Sequence, residues 1–103
     1  MKRAVLWSAD ALRELEAAIA YIAARNPTAA RRVVAELRGA GDGLGRSATG
    51  RPGRVPDTYE KTVTGRPYII AYAIDISTDG REQVVILRVI HTARDWPQGR
   101  WPR

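Results

Sequence analysis

The fold is most readily predicted from residues 68–90, YIIAYAIDISTDGREQVVILRVI. Its first part carries large apolar side chains at every second position: Tyr68, Ile70, Tyr72, Ile74 and Ile76. A period of two is typical of a β-strand with one buried face. Asp79-Gly80 is a hairpin turn signal. Residues 82–90 are apolar on both faces, as in the centre of a sheet. The stretch therefore predicts two antiparallel strands, the second of them central.

Two amphipathic helices are predicted before that hairpin. A short strand from Arg3 to Trp7 leads into Ser8, a favoured N-cap, and into a helix that runs to about Arg25. Its apolar face consists of Leu12, Leu15, Ile19 and Ile22. Asn26-Pro27 ends this helix and starts a second one, which buries Ala30, Val33, Val34 and Leu37. Four glycines at alternate positions, Gly39, Gly41, Gly43 and Gly45, then break the helical pattern.

The order of elements predicts an α+β fold of the type β-α-α-β-β-β. Residues 46–57 are rich in Gly and Pro and read as a loop, and residues 58–64 as a short strand. We expect a helix hairpin packed on one face of a small, mainly antiparallel four-stranded sheet, in a single domain of residues 1–103 with residues 92–103 as a tail. Since two helices cover only one sheet face, the apolar residues of the other face predict a partner chain.

Composition excludes several classes of function. The chain has 103 residues, no Cys and one His, so disulfides, thiolate zinc sites and histidine metal clusters are excluded, and we expect neither a metal nor another cofactor. No segment approaches the roughly 20 apolar residues that span a bilayer, and residues 1–6 are too short for a signal peptide, which predicts a cytoplasmic protein. The net charge of +6, carried mostly by Arg, indicates a polyanionic target or an acidic partner.

Five motifs, in this order along nearly the whole chain, resemble the ParE/RelE family of toxins from type II toxin–antitoxin systems. They are Tyr21-Ile22-Ala23, Asn26-Pro27 with Ala29-Ala30, residues 50–55 (GRPGRV), residues 67–72 (PYIIAY), and residues 86–91 (ILRVIH) followed by Ala93-Arg94 and Trp96-Pro97. The resemblance implies the toxin of a plasmid-stabilisation system, held in a hetero-oligomer by a cognate ParD-like antitoxin. It also implies one of two activities.

The first activity, that of the RelE-like branch, is cleavage of messenger RNA on the ribosome by metal-free acid–base chemistry. Such a site needs a base, an acid and cations for the phosphorane charge. The resemblance implies His91, Arg94, Arg54 and Lys61 as the catalytic candidates. RelE-like toxins carry a catalytic Arg on the third strand, where this chain has Ile69. That departure favours the second activity, the ParE-like inhibition of DNA gyrase, which is contact and not hydrolysis.

For gyrase inhibition, the target-binding candidates are Arg51, Arg54, Arg88, His91, Arg94 and Trp96. Most have a structural alternative. Arg51 and Arg54 can simply belong to a solvated loop. His91 can be a hydrogen-bonded residue at a strand end, Arg88 can pair with Asp75 or Glu60 across the sheet, and Trp96 can pack on the core. A third possibility is an inactive module that binds its antitoxin and helps to repress its operon.

Overall fold

The computed structural model describes residues 2–92, and Arg94 and Trp96 lie outside that range. Two helices and five strands follow one another in the order β1 (Ala4–Trp7), α1 (Ala9–Ala23), α2 (Pro27–Gly43), β2 (Arg51–Pro52), β3 (Tyr59–Thr62), β4 (Tyr68–Ile76) and β5 (Glu82–His91). The predicted α+β class is confirmed, and the elements follow the predicted order apart from one additional strand. Neither helix in the described part is long and apolar enough to cross a membrane.

Both predicted helix caps form. The Ser8 Oγ accepts a hydrogen bond from the Ala11 N–H at 3.0 Å, and the Asn26 Oδ1 accepts one from the Ala29 N–H at 3.0 Å. Each cap satisfies a backbone donor that the first helical turn leaves without a partner. The end of α2 differs from the expectation, because the helix continues through Gly39 and Gly41 to Gly43.

Gly41 is helical because of what packs on it. A Cβ at Gly41 would overlap the Trp7 indole and lie 2.7 Å from the Ile86 Cδ1. The missing side chain therefore lets α2 approach the sheet closely, and this packing outweighs the low helix propensity of glycine. The Trp7 indole N–H, from the same contact, donates to the Asp42 Oδ1 at 2.9 Å.

The sheet has five strands, in the order β1-β5-β4-β3-β2, and not the four that the sequence predicts. The additional strand is β2, whose two residues, Arg51 and Pro52, pair with Glu60 and Tyr59 of β3 in a segment read as loop. β1 lies parallel to β5, and the other neighbours are antiparallel. β5 therefore has strands on both sides, as its apolar sequence predicts.

The two faces of the sheet have different neighbours. The helix face carries Tyr72, Val84 and Ile86, which pack with Leu15 and Leu37 in the main core. We call the opposite side the outer face. There Ile69, Ala71 and Ile90 form a second, small cluster against Val55 from the loop after β2. The chain thus covers part of its second apolar face by itself.

Candidate functional site

One end of the outer face carries the predicted basic loop. Arg51 lies beside Glu60 in the ladder of β2 and β3, and Glu60 lies beside Ala71 of β4. The Arg51 side chain is exposed. Glu60 is 5% exposed, and its Oε2 accepts hydrogen bonds from the Arg54 backbone N–H at 3.0 Å and from the Arg54 Nε at 3.1 Å. A buried carboxylate thus offsets the charge of Arg54, and Arg51 is the more accessible cation of the loop.

Tight turns fix the loop that carries these arginines. The Gly53 N–H donates to the Thr58 carbonyl at 2.8 Å, and the Thr58 hydroxyl donates to the Val55 carbonyl at 2.6 Å. Gly50 has φ +131°, and a Cβ there would lie 2.6 Å from the Glu60 carbonyl oxygen. Both the backbone conformation and the lack of space therefore disfavour a side chain at this position.

The Tyr72 hydroxyl holds the start of the loop from the helix side. It donates to the Thr49 carbonyl at 2.6 Å, and the Tyr72 ring stacks on Tyr59 with 5.5 Å between centroids. Burial raises the pKa of the Tyr72 phenol above its ordinary value, and the neighbouring Tyr59 raises it further. The phenol therefore stays protonated and keeps its hydrogen bond well into the alkaline range.

Ile69 lies on the outer face, near the start of β4. It faces Ile90 across the β4–β5 ladder and is 9% exposed, packed with Ala71 and Ile90. A position that the resemblance assigns to a catalytic arginine is thus part of an apolar cluster, and its side chain can neither donate a hydrogen bond nor stabilise a phosphate.

Arg88 binds a carboxylate that the sequence did not indicate. Its Nε donates to the Glu14 Oε2 at 2.8 Å, and the Arg88 Nη2 donates to the same oxygen. Asp75, one of the two predicted partners, instead lies opposite Gln83, and its carboxylate accepts the Ile76 N–H. Glu60, the other, binds Arg54.

Glu14 also closes the edge of β5. β1 pairs with β5 only as far as Ile86, and beyond it α1 lies beside the open edge. The Ser8 Oγ donates to the Leu87 carbonyl at 2.9 Å, and the Glu14 Oε1 accepts the Val89 N–H at 2.8 Å. The N-cap Ser8 and Glu14 of α1 thus satisfy backbone groups that a further strand would otherwise pair.

His91 and Lys61 point to the helix face and not to the outer face. His91 lies opposite Tyr68, and the two rings meet edge to face with centroids 5.2 Å apart. Lys61 lies opposite Ile70, and its Nζ donates to the Thr49 Oγ1 at 2.8 Å. Arg54 is on the other side of the sheet. The structure therefore does not bring together the three described members of the set His91, Arg94, Arg54 and Lys61.

A cleft of about 730 Å³ separates α1 from the end of β5. Its lining includes Glu14, Tyr21, Tyr68 and His91. Within residues 2–92, no group of three His, Cys, Asp or Glu side chains could hold a metal ion. Among the candidate side chains of the described part, Arg51, Arg54 and Arg88 lie on the outer face, and the last two are hydrogen-bonded to carboxylates. Lys61 and His91 lie on the other side of the sheet.

The remaining part of the outer face, at the β1 end, is apolar. Leu6 of β1 lies beside Val85 of β5, which lies opposite Ala73 of β4. Leu6 is 49% exposed, and the other two are half-buried. We call these three residues the apolar row. It crosses three strands, and an exposed row of this kind is typical of a surface that contacts another chain.

Comparison with known proteins identifies relatives with the same architecture. Residues 5–96 match the family model described as ParE toxin of type II toxin-antitoxin system, parDE. The chain is 41% identical over 98 residues to the Sinorhizobium fredii (strain NBRC 101917 / NGR234) protein named "Putative toxin Y4kP". The alignment covers 94% of this chain and 96% of the relative. It is also similar to a solved structure described as chromosomal ParDE TA system from P. aeruginosa, with a TM-score of 0.77, 20% identity, and coverage of 87% of this chain and 96% of that one.

Proposed function

Because the chain belongs to the ParE toxin family of type II toxin–antitoxin systems, we propose that it acts in the cytoplasm by inhibiting DNA gyrase through contact, and that a cognate ParD-like antitoxin neutralises it. The proposal has two parts: a mode of action and a surface for the antitoxin. Each rests on a different region of the outer face.

The observation that carries the mode of action is the state of the candidate cations. Cleavage of RNA needs an acid, a base and free cations around one phosphate. In this chain, the position on β4 at which RelE-like toxins carry a catalytic arginine is occupied by Ile69, in an apolar cluster. Arg54 is bound to Glu60, and Arg88 is bound to Glu14. These arrangements favour a protein that binds its target over one that performs acid–base chemistry on it.

The exposed Arg51 is the cation of the loop that we assign to gyrase. It lies on β2, at the outer edge of the sheet, and its neighbour Pro52 has no N–H for a further strand to accept. An arginine that is held on a short strand and forms no ion pair within residues 2–92 is suited to a target surface that carries acidic groups or phosphates.

The apolar row is the surface that we assign to the antitoxin. Leu6, Val85 and Ala73 offer an apolar contact, and the net charge of +6 favours an acidic segment. A partner with apolar side chains on one side and carboxylates on the other fits both features. Charge attraction would speed the encounter, and burial of the row would slow dissociation.

The mode of action is tested by two assays on the same purified toxin. We expect inhibition of supercoiling by gyrase and intact messenger on programmed ribosomes. Arg51→Ala should weaken the inhibition several-fold, whereas Arg31→Ala, which removes the same charge from the exposed side of α2, should leave it unchanged.

Cleaved messenger with normal supercoiling would overturn the proposal in favour of the RelE-like activity. In that case, His91→Ala and Arg94→Ala would identify the catalytic groups. A toxin that has no effect in either assay but still binds its antitoxin would instead be an inactive module that serves in operon repression.

A further inference from the structure

A second basic surface lies at the β1 end of the molecule, away from the arginine loop. It is a cleft of about 1250 Å³ between the start of the chain, the connection that follows α2, and the hairpin between β4 and β5. Four cations line it, Lys2, Arg3, Arg46 and Arg81. They come from three segments that are far apart in the sequence, so the fold and not a local charge run brings them together.

Backbone and side-chain contacts fix this convergence. The Arg3 N–H donates to the Gly45 carbonyl at 2.7 Å, which joins the start of the chain to the connection after α2. A Cβ at Gly45 would lie 2.5 Å from the Arg3 carbonyl oxygen, so the approach requires glycine. The Arg3 Nη2 then binds the Glu82 Oε1 at 2.8 Å, which joins it to the hairpin.

The balance of charge in the cleft is positive. The carboxylate of Glu82 offsets the charge of Arg3. The Asp79 Oδ2 lies 3.7 Å from the Arg81 Nε, and the side chains of Asp79 and Arg81 are mostly exposed. Such an exposed pair contributes little. Lys2 and Arg46 form no ion pair within residues 2–92. Two cations are therefore uncompensated, and Arg81 can exchange its carboxylate for another anion.

The lining also indicates the class of anion. No aromatic side chain is among the residues that line the cleft in the described part. A mononucleotide or a single strand is normally held by stacking of its bases on aromatic rings, in addition to cations on its phosphates. Duplex DNA keeps its bases stacked inside and presents a dense row of phosphates, for which cations alone suffice.

We propose that this cleft binds the phosphate backbone of duplex DNA, with Lys2 and Arg46 as the principal contacts. The inference goes beyond the proposed inhibition of gyrase and does not depend on it, because binding is measured on DNA alone. Contacts of this kind carry no sequence information, so the binding is independent of sequence and depends strongly on salt.

The test is fluorescence anisotropy of a short labelled duplex of arbitrary sequence, titrated with the full-length toxin at several salt concentrations. Lys2→Ala/Arg46→Ala is compared with Arg31→Ala/Arg32→Ala, which removes two charges from the exposed side of α2. We expect the cleft variant to lose about tenfold or more in affinity. Its slope of log K against log salt should fall by about 1.8, since each lost phosphate contact removes about 0.9. The α2 variant should change little.

Each other outcome overturns the proposal. Equal losses in the two variants would mean that general charge, and not the cleft, attracts the duplex. Tighter binding of the single strand of the same sequence would contradict the assignment to duplex DNA. Binding of inorganic phosphate at matched ionic strength, without any binding of the duplex, would make the cleft a small-anion site. Circular dichroism of both variants establishes that they are folded.

Discussion

The two faces of the sheet are made from alternate residues of the same strands, and yet they serve different purposes. On the helix face, Tyr72 and Ile86 are buried beneath two helices, together with Leu37. On the outer face, Leu6 remains 49% exposed at one end, and Arg51 is exposed at the other. One face thus contains the main core, and the other carries the groups that a second molecule can contact.

Substitutions on the helix face should therefore affect mainly stability, and substitutions on the outer face mainly binding. A residue on the helix face contributes through burial and packing density, so its truncation leaves a cavity. A residue of the apolar row contributes little to the stability of the isolated chain because it is already accessible to water. It contributes only when a partner covers it.

The largest effect is expected from Leu37→Ala. Leu37 is fully buried between α2 and the sheet, and truncation of such a leucine costs about 3 kcal/mol in the free energy of unfolding. Denaturant unfolding measures the change. Leu12→Ala on α1, at a leucine that is 37% exposed, is the matched control and should change stability by about 0.5 kcal/mol or less. Equal losses at the two leucines would break the distinction between core and surface.

A smaller effect is expected from Tyr72→Phe. The substitution keeps the ring in the core and removes the hydrogen bond to the Thr49 carbonyl, which costs about 1 kcal/mol. It tests whether the helix face also holds the basic loop, because Thr49 immediately precedes Gly50 and Arg51. Amide hydrogen exchange in residues 49–54 should become faster in the variant, while exchange in β5 should not.

The pH dependence provides a further test of Tyr72. Its folded-state pKa is raised by burial, so the unfolded chain ionises first. This contribution to stability is fully present below the unfolded pKa of about 10 and is lost as the pH rises through the folded pKa. Tyr72→Phe should therefore show a smaller alkaline loss of stability than the native chain. Parallel curves for the two proteins would show that Tyr72 is not the buried titrating group.

Much of the fold could be predicted because the signals are local. Ser8 and Asn26 act as caps through residues three positions away, and the alternation in β4 directly separates its two faces. Two parts of the fold prediction were wrong because the sequence around them carries no local signal. β2 is two residues long, too short for any pattern, and Gly41 is helical only because Trp7 and Ile86 approach it from other elements.

The candidate site was less predictable because its side-chain pairs join residues that are far apart in the sequence. The position of Ile69 in the β4 motif indicated the loss of a cation, and the structure places it in an apolar cluster. The Arg88–Glu14 pair joins residues 74 positions apart, and Glu14 lies off the apolar stripe of α1, so no local spacing identifies it. Neither the cleft around Lys2 and Arg46 nor the apolar row has a sequence signature, because each is assembled from separate segments.

The dissociation rate of the toxin–antitoxin complex tests directly whether the outer face binds a partner while the helix face stabilises the fold. Leu6→Ser on the outer face is compared with Leu12→Ser on α1, since both leucines are partly exposed in the isolated chain. We predict that both variants keep nearly native stability and that only Leu6→Ser speeds dissociation, by about tenfold for a buried leucine contact. Native dissociation from Leu6→Ser, or equal acceleration in both variants, would contradict the account.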